Sequence, residues 1–176
     1  SAMTRTAAIL LAFALAGCGC TSIPSHDDLR ATNHRLKVAT GMCSGTAVGP
    51  DLLVTALHCG EVQQVGNYVV TAEVVERGSR DFVVVRVKGV TFETWAKRGE
   101  RPRQGDRVRW WGNPVGEPNV YREGYVARAD GDVLVIAAQI CKGDSGAGLF
   151  NDRGEVVGII SAMTAEMHCQ FALSLP

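Results

Sequence analysis

Gly143-Asp144-Ser145-Gly146 is the stretch of this 176-residue chain that most strongly constrains its fold and chemistry. It places a serine between two glycines on a predicted tight turn, which exposes a hydroxyl for nucleophilic attack. Upstream, His58 follows an apolar run, and Asp81 directly precedes the strand-like run 82–87. Each residue alone has an ordinary interpretation as part of a turn or a strand end. A serine hydroxyl needs a neighbouring base to act as a nucleophile, so the three residues become informative only together.

Composition is consistent with one compact domain and argues against nucleic acid as a partner. Hydrophobic residues make up 46% of the chain, enough to fill one core or two small packed lobes. The formal net charge is +0 at pH 7, so no overall basic field attracts a polyanion. The arginines between residues 98 and 109 are interpreted as a solvated connection.

The hydrophobic pattern predicts an all-β fold. Short β-branched runs are separated by Gly, Asp and Asn, which is typical of antiparallel hairpins in barrels. The predicted strands cover residues 46–48, 52–55, 68–71, 82–87, 107–111, 120–127, 133–137 and 155–160.

From about Val38 to its C-terminus the chain resembles the trypsin-like (chymotrypsin-fold) serine peptidases. The resemblance rests on Thr55-Ala56-Leu57-His58-Cys59, on Asp81 and on the Gly143–Gly146 stretch. It implies two antiparallel six-stranded β-barrels that divide near residues 91–105, with the active site in the cleft between them. It implies a serine endopeptidase that acts on a protein or peptide substrate through an acyl-enzyme, with no cofactor and no metal.

The resemblance also implies a role for each site residue. Ser145 is the expected nucleophile, His58 the base and Asp81 the residue that orients the histidine. The backbone N–H groups of Gly143 and Ser145 are expected to form the oxyanion hole. The expected substrate-binding residues are Gln139 at the pocket floor and Ser161 and Met163 on its wall. Because Gln139 carries no charge, we expect a neutral, small or polar residue before the cleaved bond.

The cysteines indicate an oxidising compartment. Apart from Cys18 and Cys20, four remain, and their number alone leaves three pairings open. The resemblance selects one of these, with disulfides Cys43–Cys59 and Cys141–Cys169.

Asp144 precedes the serine and needs a cation if it is buried. In many relatives a freshly cut N-terminus supplies that cation, but the sequence contains no Ile-Val-Gly-Gly-like segment. We therefore expect an internal partner, Arg107 or Arg109.

The N-terminal segment resembles a bacterial lipoprotein signal. Residues 1–17 are the predicted signal peptide, with Ser1 and Ala2 interpreted as a cloning remnant, and Leu15-Ala16-Gly17-Cys18 resembles the lipidation box. Cys18 is then the lipid anchor, residues 18–36 a tether and residues 37–176 the peptidase domain. The expected location is the cell envelope, on the periplasmic side of a bacterial membrane, as an outer-membrane lipoprotein or a secreted protein. The expected state is a monomer. A plain signal peptide, with Cys18 incidental, is the alternative.

Two other functional classes remain open. One is a catalytically idle binding module with the same fold. The other is a zinc-organised domain, because histidine and cysteine can both ligate zinc. Its candidate ligands are Cys43, His58, Cys59, Cys141, His168 and Cys169.

Overall fold

The computed structural model describes residues 22–78, 80–163 and 170–174, and at 162–163 and 170–174 it describes the backbone alone. Within these residues the chain forms two antiparallel β-lobes in succession, which confirms the predicted all-β, two-lobed fold. The connection between the lobes covers residues 89–106 and includes the predicted boundary at 91–105.

The first lobe is a curled seven-stranded sheet within the described residues, with strand order β5-β4-β1-β2-β3-β7-β6. Its strands are β1 (Asn33–Val38), β2 (Gly41–Ala47), β3 (Leu52–Ala56), β4 (Val62–Val65), β5 (Tyr68–Val69), β6 (Thr71–Arg77) and β7 (Phe82–Lys88).

The prediction of six strands in this lobe was wrong by one, and Val70 explains why. The two strands at opposite ends of the sheet, β5 and β6, are separated in sequence by Val70 alone. Val70 is buried, and its N–H donates to Gln63 O (3.0 Å). One extended run is thus interrupted at Val70, so that its first part pairs with β4 and its second part with β7.

The second lobe is a closed six-stranded barrel with strand order β10-β13-β12-β11-β8-β9 among the described residues, as predicted. Its strands are β8 (Arg107–Gly112), β9 (Val120–Asp130), β10 (Val133–Ala137), β11 (Gly148–Phe150), β12 (Val156–Met163) and β13 (Gln170–Ser174).

The cores of the two lobes are in contact. The buried cluster of the first lobe includes Phe150, Val156 and Ile159 from the second. Four consecutive residues of β7, from Phe82 to Val85, are buried. Such a continuous apolar run is typical of a strand covered on both faces. The lobes are thus packed against each other along an apolar interface.

The folded part of the chain begins before the predicted boundary at residue 37. Helix α1 (His26–Ala31) starts with a capping box in which the Ser25 hydroxyl accepts from Asp28 N–H (3.2 Å). Leu29 of this helix is buried in the core, and Leu36 of β1 is fully buried. Residues 26–36 therefore belong to the folded domain, although the sequence analysis predicted a tether over 18–36. The described residues include no helix of the length and apolarity needed to cross a membrane.

Candidate active site

The pairing of β3 with β7 brings His58 beside Asp81. Ala56 at the end of β3 lies opposite Phe82 at the start of β7, so the residues that follow one strand meet those that precede the other. A single 3₁₀ turn, Leu57–Cys59, carries His58. Its backbone N–H donates to Asp81 Oδ1 (2.7 Å), and its Nδ1 lies 2.6 Å from Asp81 Oδ2. Asp81 therefore orients both the backbone and the ring of His58.

Ser161, from the second lobe, donates a third hydrogen bond to this aspartate, from its hydroxyl to Oδ2 (2.5 Å). Burial acts to raise the pKa of Asp81, but the bonds from the His58 ring, Ser161 and the His58 N–H outweigh it and hold the pKa below its usual value. The sequence analysis expected Ser161 to line the substrate pocket. The structure directs its hydroxyl to Asp81, across the interface between the lobes.

The protonation of His58 follows from this contact. An ionised carboxylate only accepts hydrogen bonds, so Nδ1 carries the proton in the Asp81 bond and neutral His58 offers its Nε2 as an acceptor. The hydrogen bond from Asp81 raises the pKa of His58 above its ordinary value, although partial burial opposes the shift. The His58 side chain is about half exposed, so a substrate can reach it.

A disulfide braces the histidine turn, because Cys43 in β2 is bonded to Cys59, the residue after His58. This predicted pairing is confirmed. The same bond removes two thiolates from the zinc interpretation, because a sulfur in a disulfide is not available as a thiolate ligand. His168 and Cys169, which the zinc interpretation also needs, lie outside the described residues.

The loop that carries Ser145 connects β10 to β11 and lies against the first lobe. Gly143 and Gly146 have φ angles of +100° and +87°, the left-handed region that favours glycine. Ser44 N–H donates to Ser145 O (2.8 Å), and Cys59 Sγ lies 3.8 Å from the same oxygen. A side chain at position 146 would collide with the backbone of β2 and β3, so only glycine allows this approach. Ser145 is therefore held beside the disulfide that flanks His58.

Two backbone amides of this loop are available to a ligand. The N–H groups of Gly143 and Ser145 have no hydrogen-bond acceptor among the described residues, whereas those of Asp144 and Gly146 donate to Cys141 O and Ile160 O. No hydrogen bond joins Ser145 Oγ to His58 Nε2 in this part of the chain. In unliganded enzymes such bonds are often long and tighten only with substrate.

Asp144 is fully buried and pairs with Arg122, whose Nη1 lies 2.7 Å from its Oδ2. The expected partners, Arg107 and Arg109, were wrong. Arg122 lies on the same face of β9 as Gly124 and Val126, which are buried in the barrel. Arg107 instead pairs with Glu123 outside the barrel. Because side chains alternate between the two faces of a strand, Arg122 of β9 points into the second lobe.

The environment of Asp144 combines opposing effects. Burial raises the pKa of its carboxyl, while the Cys141 N–H (2.9 Å to Oδ2) and the Arg122 guanidinium act to lower it. Its other oxygen, Oδ1, is buried without a hydrogen-bond partner among the described residues. The sequence analysis missed Arg122. Its alternation with Gly124 and Val126 places these three residues on one face of β9, but which face points inward depends on strand register.

The remaining predicted site residues are Gln139, Met163, the Cys141–Cys169 pair and Cys18. Gln139 is exposed in the loop before Cys141. Met163 ends β12, and only its backbone is described. Cys141 is not in a disulfide with any described residue, and its expected partner Cys169 lies outside those residues. The signal peptide and Cys18 also lie outside them.

Several solved protease structures share this architecture. The protease Rv3671c from M. tuberculosis H37Rv, in an inactive form, aligns with a TM-score of 0.71 and 20% identity over 84% of this chain and 85% of that chain. A Glu endopeptidase aligns with a TM-score of 0.66 and 15% identity over 82% of this chain and 85% of that one. The HtrA-type protease AlgW, solved with a decapeptide, aligns with a TM-score of 0.65 and 16% identity over 86% of this chain and 64% of its own. Identities this low show the fold alone.

Sequence comparison identifies the family. No curated protein matches the chain with significant similarity. The family model described as a trypsin-like peptidase domain matches residues 43–159, which include His58, Asp81 and Ser145. The chain therefore belongs to the trypsin-like peptidase family, whose members are serine peptidases that hydrolyse peptide bonds.

Proposed function

We propose that this protein is a serine endopeptidase whose catalytic triad is Ser145, His58 and Asp81. The observation that carries the proposal is the pair of Asp81 bonds to His58, at 2.7 and 2.6 Å, on the lobe against which the Ser145 loop packs. The two unpaired amides of that loop supply the oxyanion donors that this chemistry requires. Family membership gives independent support.

The acylation step begins with attack by Ser145, and His58 acts first as a base and then as an acid. Ser145 Oγ attacks the carbonyl carbon of the peptide bond while His58 Nε2 accepts the hydroxyl proton. The negative charge that develops on the carbonyl oxygen is stabilised by the Gly143 and Ser145 N–H groups, and Asp81 stabilises the imidazolium. The carbon–nitrogen bond then breaks, and His58 returns the proton to the leaving amine.

Deacylation repeats the sequence with water. His58 takes a proton from the water molecule, the resulting hydroxide attacks the ester carbonyl, and collapse of the tetrahedral intermediate returns the proton to Ser145 Oγ. The products are a free carboxylate and a regenerated enzyme. Neutral His58 is needed at the start of both steps.

The experiment that tests this function is labelling of the purified protein with a fluorophosphonate, followed by intact mass. We expect one adduct on the wild-type protein and none on Ser145→Ala. A folded, disulfide-bonded protein that gains no adduct would contradict the proposal and favour the catalytically idle binding module. The substitution also controls for non-specific phosphonylation of other hydroxyls.

The substrate preference is proposed from the uncharged side chain at position 139. An exposed glutamine offers no charge to pair with a lysine or arginine before the cleaved bond. We therefore expect faster cleavage after small or polar neutral residues. A peptide library varied at that position tests this, and a preference for basic residues would contradict it.

We also propose that the protein is anchored by lipid at Cys18 in a bacterial cell envelope. The support is the Leu15–Cys18 motif and the Cys43–Cys59 disulfide, which fits an oxidising compartment. Metabolic labelling with an alkyne fatty acid should mark the wild-type protein and leave Cys18→Ala unmarked. Equal labelling of both would contradict the anchor.

A further inference from the structure

The loop that follows β8 contacts the backbone peptide that supplies one of the two proposed oxyanion donors. Its Val115 N–H donates to Lys142 O (2.7 Å). Lys142 O and Gly143 N–H belong to the same peptide group, and in a trans peptide these two groups point in opposite directions. The bond to Val115 therefore holds the Gly143 N–H on the side away from this loop.

Ser44 holds the next peptide in the same way. Its Oγ lies 3.1 Å from Asn113 N and 2.8 Å from Asn113 Nδ2, and both of these are donors. A hydroxyl has two acceptor positions and one proton, so its proton is directed to Gly143 O at 2.7 Å. Ser44 and Asn113 are both buried, with exposed fractions of 0% and 1%. The hydroxyl is thus fully used and has one orientation.

The loop that carries Asn113 and Val115 is itself attached to the first lobe. Asn113 Oδ1 accepts from Asn119 N–H (3.2 Å), and Asn119 Oδ1 accepts from Asn33 Nδ2 (2.8 Å) in β1. Arg35 in the same strand lies within hydrogen-bond distance of Gly116 O (3.3 Å). Both ends of the loop are therefore tied across the interface between the lobes.

The backbone at Val115 is strained, and its side chain does not compensate. Its φ and ψ are 48° and 25°, a conformation that a β-branched residue adopts at a free-energy cost. The residue is 82% exposed, so burial of the side chain contributes little. Such strain persists only where surrounding contacts determine the backbone, and here those contacts include the bond to Lys142 O.

We propose that Ser44, Asn113 and Val115 are positioning residues that hold the Lys142–Gly143–Asp144 backbone in the orientation required of an oxyanion hole. The inference rests on the proposed peptidase function and deepens it. The first lobe thereby controls the oxyanion donors on the second, in addition to carrying His58 and Asp81. A peptide rotated about this loop would turn the Gly143 N–H away from the reacting carbonyl.

Ser44→Ala is the primary test, because it removes the hydroxyl and adds no bulk. Thr46→Val is the matched control: Thr46 is another fully buried β2 hydroxyl, and it accepts from Gly148 N–H (2.8 Å), beyond the peptides in question. Both variants lose buried hydrogen bonds to backbone groups; Ser44 Oγ makes three hydrogen bonds, one of them to the Asn113 side chain, and Thr46 Oγ1 accepts one. Of the two, only the Ser44 hydroxyl contacts the Lys142–Gly143–Asp144 backbone. An effect that comes from lost stability alone should therefore appear in both variants.

The measurements are the rate of fluorophosphonate labelling, kcat and KM for a peptide substrate, and hydrogen exchange at the Val115 amide. For Ser44→Ala we expect labelling and kcat to fall by about 10–100-fold, since loss of an entire oxyanion donor typically costs 10²–10³. KM should change little. Exchange at Val115 should become about tenfold faster, because the bond to Lys142 O is weakened. Thr46→Val should alter thermal stability without these changes.

Hydrogen exchange keeps the proposal testable without activity. Suppose that the wild-type protein labels, and that Ser44→Ala labels and exchanges its Val115 amide at the wild-type rates. This result would overturn the positioning role and leave the peptidase function intact. If the wild-type protein does not label, the peptidase function fails, and exchange alone decides the role of the loop. If Val115 exchanges faster in Ser44→Ala but not in Thr46→Val, the result supports the positioning role. Equal exchange in the wild-type protein and both variants would overturn that role. If Ser44→Ala does not fold, Asn113→Ala replaces it with the same expected outcomes.

Discussion

The carboxylate of Asp144 and the guanidinium of Arg122 form a partly buried ion pair, 2.7 Å apart, directly beside the residue proposed as nucleophile. The aspartate is fully buried, and 17% of the arginine side chain is exposed. An internal cation therefore occupies the position that a new N-terminus supplies in relatives activated by cleavage.

Arg122→Met should destabilise the protein by about 3–5 kcal/mol, because it leaves a buried carboxylate without its cation. Fluorophosphonate labelling should fall as well, since the Cys141–Ser145 loop is no longer held. Thermal unfolding and labelling rate measure the two effects. Arg107→Met is the control, because Arg107 pairs with Glu123 in solvent, and it should change neither quantity substantially. Recovery of stability in Arg122→Met/Asp144→Asn would show that the unpaired charge is the cause, and wild-type behaviour of Arg122→Met would refute this account.

The pH dependence of labelling should report on His58. Acylation needs the neutral imidazole, so the rate should rise with pH through the pKa of His58, which the Asp81 hydrogen bond raises above the ordinary 6.5. In Asp81→Asn that bond to a charged group is lost, so the midpoint should move to lower pH. The maximal rate should fall by about 10⁴-fold. A midpoint that does not move would show that a group other than His58 controls the reaction.

The Cys43–Cys59 disulfide should stabilise both the fold and the site. It joins residues 16 apart in sequence, and loop-closure entropy predicts about 3 kcal/mol, a model-dependent figure. Cys43→Ala/Cys59→Ala should lower the free energy of unfolding by about that amount in denaturant titrations. Because Cys59 Sγ contacts Ser145 O, labelling should also slow in the double variant. Labelling at the wild-type rate would show that the serine loop does not depend on this contact.

His34 should make the fold sensitive to acid. Burial lowers its pKa from 6.5 to about 4, and its ring stacks on Phe92 with centroids 4.6 Å apart. The unfolded chain therefore binds a proton between pH 6.5 and 4 that the folded state does not. Stability should be full above pH 6.5 and decrease by on the order of 3 kcal/mol as the pH falls to about 4.

The variant His34→Phe isolates this effect, because it keeps an aromatic ring against Phe92 and removes the titrating group. Its free energy of unfolding should fall less than that of the wild-type protein between pH 7 and 4. Identical pH profiles for the two proteins would assign the acid sensitivity to the carboxylates instead.

The strands that the sequence predicts well are those with continuous β-branched runs. Residues 52–55, 82–87 and 133–137 agree with β3, β7 and β10 to within one residue at each end. The prediction missed β1, β4, β11 and β13. Strand β11 is Gly-Leu-Phe within a glycine-rich stretch, and β1 has polar or charged residues at four of its six positions. These segments become strands because their neighbours in the sheets provide partners, an effect that local propensity does not contain.

His58, Asp81 and Ser145 could be named as candidates from the sequence because their local motifs and their order together resemble the trypsin-like peptidases, although each residue alone has an ordinary interpretation. The glycines at 143 and 146 allow left-handed backbone, the apolar run before His58 forms β3, and Asp81 precedes β7. Those patterns, with the cysteine beside the histidine, carry the resemblance from which the two-barrel fold and the candidate triad were predicted.

The partners that hold these residues were decided by tertiary structure alone. Arg122 reaches Asp144, Ser161 reaches Asp81, and Ser44 reaches Gly143 O across separations of 22, 80 and 99 residues. Which side chain of a strand faces inward depends on register, and a shift by one residue reverses every face. Register is set by the pairing of whole strands and the packing of two lobes, so the choice of Arg122 over Arg107 or Arg109 appears only when the barrel is closed.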